Sequence, residues 1–200
     1  FKEIEGWYEI GNTTNVYEFQ KQIAKRKIPS FNFVAMDAER NIGYFYNGRI
    51  PIRRDASTAR QIIKSSSSKD IWDESNLVKD LPTFINPRNG WVQSTNQNPF
   101  YVMGKYSFEN RLVNKFVDYE KRLTNRSYVA NELLSSNESI DLNRFIEIKF
   151  DNTYSENSRQ YKYLESVAQY DQNIQEAIKN WNRKTDIRNT NAGLAMCFMA

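Results

Sequence analysis

Two hundred residues, 40% hydrophobic and 14% aromatic, suffice to bury a core, so the chain is a folded domain or part of one and not a disordered segment. It has no histidine and a single cysteine, Cys197, which excludes Ser-His-Asp and Cys-His catalysis, an internal disulfide and a cysteine-based metal cluster. The net charge of +4 is dispersed, with Lys25-Arg26-Lys27 and Arg53-Arg54 as its short clusters, not the basic stripe of a nucleic-acid surface.

The first ten residues, FKEIEGWYEI, carry neither a helix start signal nor the apolar run of a signal peptide. Asn15 precedes Glu18 by three residues, as in a capping box, and Val16, Phe19 and Ile23 follow at helical spacing. The pattern predicts an amphipathic helix over residues 16–27, stopped by Pro29. Residues 31–46 alternate in period two around a turn at 37–41, which predicts an antiparallel hairpin. Asp37 is a tempting carboxylate, but a turn-initiating role fits it better. Residues 55–74, with the run Ser65 to Ser68, read as a surface loop.

Residues 81–100, LPTFINPRNGWVQSTNQNPF, form the central stretch. Asn89-Gly90 supplies a turn, because both residues tolerate left-handed backbone angles. Trp91 and Val92 predict a short strand over 91–94 in the same sheet as the hairpin. The cluster Thr95-Asn96-Gln97-Asn98 then follows. It reads either as a solvated loop or as an amide held to donate to a developing oxyanion. Beyond it, apolar spacing predicts a helix over 108–123, a short one over 128–134, another opened by Asp141 with Leu142, Phe145 and Ile146 buried, and three more around Leu164, Ile178 and 191–200. No apolar run reaches the ~18 residues of a membrane span.

The run NP-x-x-G-W-V-Q-S-T-N from Asn86 to Asn96 resembles a motif in the β-chain of the penicillin acylase family, which includes penicillin, cephalosporin and acyl-homoserine lactone acylases. The hairpin is similar to that family's too, through Asp37, Asn41-Ile42-Gly43-Tyr44, Gly48, Pro51 and Arg53, with Arg40 standing where the family has a glycine. The resemblance implies an α+β fold, part of the αββα sandwich of N-terminal nucleophile hydrolases. The whole chain would be one partial domain, sheet-containing over 1–100 and helical over 101–200. It implies hydrolysis of an acyl side-chain amide through a serine acyl-enzyme. Such a mechanism needs no histidine, because the α-amine of the nucleophile takes the proton.

Carried over by position, Asn96 is the oxyanion donor and Arg126, seven residues before Leu133, lies near the nucleophile and its amine. Trp7 and Phe31 fall where family members place acyl-pocket side chains. No cofactor is expected. Family members hold a structural calcium, but the sequence near Ser107 lacks the acidic ligand for one. Trp72 stands where the family has a tryptophan element. The expected partners are a small amide substrate and the rest of the same precursor, its α-chain and the remainder of its β-chain, in the periplasm or outside the cell. Residue 1 is Phe, so the nucleophile, in the family a Ser at the N-terminus of the mature β-chain, is expected to lie outside these 200 residues, which read as an internal piece of that chain. A non-catalytic acyl-binding domain that has lost the nucleophile half is the alternative reading. Nucleic-acid binding rests on the excess of positive charge alone.

Overall fold

The computed structural model describes residues 2–52, 61–62, 68, 71, 76–104, 117, 119–136 and 139–199. Trp72, Ser107, Arg53 and most of the serine run lie outside the described residues, as do residues 108–116 and 118 of the helix expected at 108–123. Within the described residues the architecture is α+β, with a three-stranded antiparallel sheet and seven α-helices. The chain forms two compact units: Phe1–Ser94 with Asn98–Lys121, and Thr95–Gln97 with Arg122–Ala200.

The first unit is built on a hairpin. Strands β1 (Ser30–Met36) and β2 (Ile42–Gly48) pair antiparallel, with Ser30 opposite Gly48 and Met36 opposite Ile42. Asp37 makes the turn: its carboxylate accepts from the backbone N–H groups of Glu39 and Asn41 and from the Asn41 side-chain amide, at 2.9–3.0 Å. The turn forces Arg40 to a φ of 66°, a backbone that glycine adopts freely and other residues adopt at a cost. That is where the family's glycine would sit. β2 is the middle strand, and successive residues serve opposite faces. Phe45 packs with Val16, Ile23 and Ile28, while Tyr44 packs with Phe84, Val102 and Met103. β1 lies at the edge and contains no fully buried residue.

Two helices cover the Phe45 face. Helix α1 (Lys2–Gly11) was not signalled by a cap; Glu3 and Glu5 in its first turn favour the helix dipole. Gly6 lets it approach closely, since a Cβ there would meet Lys27 Cβ at 2.8 Å. Lys27 binds Glu5 at 2.7 Å and Glu9 at 2.8 Å, and Lys25 reaches Glu9 at 3.4 Å. These bonds raise the Lys27 pKa, the Glu5 bond most, and the Lys27 bond lowers that of Glu9. Helix α2 (Val16–Ile23) starts at Asn15, whose side chain accepts from the N–H groups of Tyr17 and Glu18. Glu18 reaches back to the backbone N–H and hydroxyl of Thr14, a capping box displaced by one position. The helix ends four residues before the expected Lys27, because Arg26 turns left-handed at φ 55°.

The third strand is β3 (Thr83–Ile85), paired with β2 through Gly43–Ile85 to Phe45–Thr83. The strand expected at 91–94 is absent, and this corrects the sequence reading. After the turn at Gly90 (φ 75°), the segment docks on its own downstream loop: Gln93 donates from its backbone to Val102 O at 2.9 Å, and Asn89 donates to Met103 O at 3.3 Å. The helix expected to reach Leu123 is likewise absent over 119–124; Tyr119 is instead buried with Val78, Phe100 and Val117.

The second unit is helical. Helix α3 (Asn125–Leu134) is capped by Thr124, α4 (Leu142–Lys149) by Asp141, α5 (Arg159–Ala168) by Ser158 and α6 (Gln172–Asn180) by Asp171. Each cap oxygen accepts an N–H of the first turn, where backbone donors lack the usual intrahelical partner. Helix α7 (Thr190–Met199) completes the unit. Tyr161, Leu164, Ile174, Trp181, Ala192 and Ala195 form its core. The expected burial of Leu142, Phe145 and Ile146 is overturned: they are 72%, 53% and 44% exposed. Their spacing marks one apolar helix face, but spacing alone does not say what covers that face. Among the described residues, no helix is long and apolar enough to cross a membrane.

Candidate active site

The site in the second unit is built where Thr95–Gln97 meets the first turn of α3. Asn96 has a φ of 63°, a left-handed conformation that Asn accepts more readily than most residues. Its two neighbours are pinned. Thr95 donates from its backbone N–H to Gln97 Oε1 at 2.6 Å and from its hydroxyl to the same oxygen at 2.7 Å. Thr95 Oγ1 also lies 2.9 Å from Ser127 Oγ. Gln97 and Ser127 are buried while Asn96, on the bend between the pinned residues, is exposed.

Arg126 is the second residue of α3. It donates from Nη2 to Asn96 Oδ1 at 2.8 Å, and the same nitrogen is 3.5 Å from the Thr95 carbonyl oxygen, the outer limit of a hydrogen bond. A guanidinium has donors only, so the amide atom facing it is the oxygen, and the Asn96 N–H groups point elsewhere. The charged partner polarises the amide and strengthens those N–H groups as donors. A cation at a helix N-terminus is disfavoured by the dipole, and the bond to Asn96 offsets that cost. The structure thus brings together Asn96 and Arg126, separated by thirty residues in sequence.

Trp7 and Phe31, in the first unit, also meet. Their ring centroids lie 5.2 Å apart at 82°, edge to face. Phe33 stands 5.7 Å from Trp7 and 5.9 Å from Phe31. Trp7 is 40% and Phe31 51% exposed, so this aromatic cluster offers apolar surface to solvent.

Sequence reasoning named Thr95 and Gln97 as members of the polar cluster without their bracing role, and missed Ser127. Thr124-x-x-Ser127 at a helix start is the one signal that pointed there, since a Thr cap binds the N–H of the residue three on. Asp37, by contrast, has its structural role in full: four hydrogen bonds, to Val16, Glu39 and Asn41, outweigh its burial and hold its pKa below the ordinary value.

A polarised amide, fixed on a strained bend and braced by a guanidinium, is suited to donate to an anionic oxygen, which is what an acyl-transfer hydrolase requires. The family model for penicillin amidase matches residues 1–200. The chain belongs to that family, whose members are amide hydrolases.

Proposed function

We propose that this chain supplies the oxyanion donor of an N-terminal nucleophile amidohydrolase, with Asn96 as the donor and Arg126 as the cation that orients it. The three-stranded sheet would be part of the parent's αββα sandwich. A serine outside these 200 residues attacks the carbonyl carbon of a linear amide, and its own α-amine takes the hydroxyl proton. The carbonyl oxygen becomes an oxyanion and accepts the Asn96 N–H. Collapse expels the amine with a proton and leaves an acyl-enzyme, which water then hydrolyses. The substrate class is an acyl side-chain amide of the penicillin or acyl-homoserine lactone type. Trp7 and Phe31 would contact the acyl group, since aromatic rings give apolar area with few rotatable bonds. The working enzyme would pair with the α-chain of the same precursor, in the periplasm or outside the cell.

The 2.8 Å bond from Arg126 to Asn96 carries this reading. In the mature enzyme containing this chain, Asn96→Ala should lower kcat by ~10²–10³, or roughly 3–4 kcal/mol, with KM little changed. An Asn that only solvates a loop would stay within ~0.5 kcal/mol of neutral, and that result would sink the assignment. The 200 residues alone should not turn over a chromogenic phenylacetamide.

The cluster of exposed Trp7 and Phe31 on half-buried Phe33 favours one second reading, a non-catalytic module that binds acyl chains. Acyl binding with no turnover in the mature protein would support it.

A further inference from the structure

We propose that Ser127 is a positioning residue for Asn96, acting through a one-way chain of hydroxyl groups; the inference rests on the reading of Asn96 as the oxyanion donor. The direction of the chain follows from what each atom can do. The Thr95 backbone N–H can only donate, so the Gln97 atom 2.6 Å away is its carbonyl oxygen. That oxygen only accepts, so the Thr95 hydroxyl gives it its proton at 2.7 Å. With its proton committed, Thr95 Oγ1 can only accept from Ser127 Oγ at 2.9 Å. Ser127 Oγ, having donated, accepts in turn from Thr124 Oγ1 at 2.9 Å, and Thr124 Oγ1 receives the Ser127 backbone N–H at 3.3 Å. The order Thr124 to Ser127 to Thr95 to Gln97 is therefore fixed.

Ser127 is the link between the bend and the helix. It is fully buried, its backbone belongs to the turn that carries Arg126, and its hydroxyl grips the residue before Asn96. Both partners of the Arg126–Asn96 bond are thus referred to one frame. Hydrogen bonds running in one direction polarise one another, and buried ones cost most when broken. The oxyanion donor must be held to within a fraction of an ångström, because a misplacement of about 1 Å costs ~10² in rate.

The test is a kinetic cycle in the mature enzyme, with hydrogen exchange on the same variants. Ser127→Ala and Thr95→Val should each lower kcat by ~10-fold or more, with KM within about twofold. Thr95→Ser, which keeps the hydroxyl, should recover most of the Thr95→Val loss. In an Asn96→Ala background, Ser127→Ala should cost nothing further, because the group it positions is gone. Equal losses in both backgrounds, or an unchanged kcat in Ser127→Ala, overturn the proposal. The Asn96 reading fails separately, if Asn96→Ala alone leaves kcat intact. Exchange of the Thr95 backbone amide reports on the chain independently of catalysis: faster exchange in Ser127→Ala supports the link, and unchanged exchange overturns it.

Discussion

The carboxylate of Asp37 accepts the backbone N–H of Val16 at 3.1 Å, across twenty-one positions of sequence. One side chain therefore closes the β1–β2 turn and caps the first residue of α2. The hairpin and the helix that covers it share an anchor.

That anchor titrates. Its hydrogen bonds hold the Asp37 carboxyl below its ordinary value of 3.8. A depressed carboxyl contributes stability that is fully present above the unfolded value and is lost as pH falls through the folded one. Asp37→Asn should therefore lower Tm at pH 6, with the gap to the parent narrowing once pH drops below about 4. A gap that stays constant down to pH 2 would show that charge on Asp37 is irrelevant.

Arg40 occupies left-handed backbone at φ 66°. Relief of that strain is worth about 1–2 kcal/mol, reduced by the freedom glycine adds to the unfolded chain. Arg40→Gly should raise stability by roughly 0.5–1 kcal/mol, read as a higher urea midpoint at unchanged slope.

Gly6 and Gly11 lie in the same helix, yet alanine should act on them with opposite sign. At Gly6 a Cβ would meet Lys27 Cβ at 2.8 Å and Ile28 Cγ1 at 3.0 Å, whereas at Gly11 it would meet nothing within 4 Å. Gly6→Ala should destabilise by about 1–2 kcal/mol through overpacking. Gly11→Ala should stabilise by roughly 0.5 kcal/mol through helix propensity. Equilibrium unfolding of the two variants side by side decides the matter.

Arg126→Lys keeps the positive charge and loses the planar fork. If orientation of the Asn96 amide is what matters, kcat should fall by ~10-fold or more and Arg126→Ala should do little worse. Full activity in the Lys variant would mean that charge alone suffices.

The hairpin was legible because period two and the Asp37-to-Asn41 turn agree with each other. β3 escaped because Thr83, Phe84 and Ile85 are only three residues, closely bounded by Pro82 and Pro87. Trp91 and Val92 have strand-forming side chains, but β-propensity says only that a residue fits a half-buried pleated surface, and Val92 finds that fit beside Val102 and Met103. Leu142, Phe145 and Ile146 gave the right helix and the wrong burial. In the site, the Asn96–Arg126 pairing followed from the family's motif and not from any periodicity. The contact between Ser127 and Thr95 was invisible to both: a Thr cap and an amide-rich cluster can each be read locally, but nothing in either stretch says that two hydroxyls meet across thirty-two positions.

The ionic clasp of Lys25 and Lys27 on Glu5 and Glu9 makes helix α1 sensitive to electrolyte. Exposed ion pairs weaken as salt shortens the screening length to ~3 Å at 1 M. The tight fit at Gly6 does not depend on salt. At low ionic strength α1 is fastened twice, and in strong brine once. Local opening of α1, and with it the footing of Trp7 beside Phe31, should accelerate with added sodium chloride, while opening of the β1–β2 ladder should not.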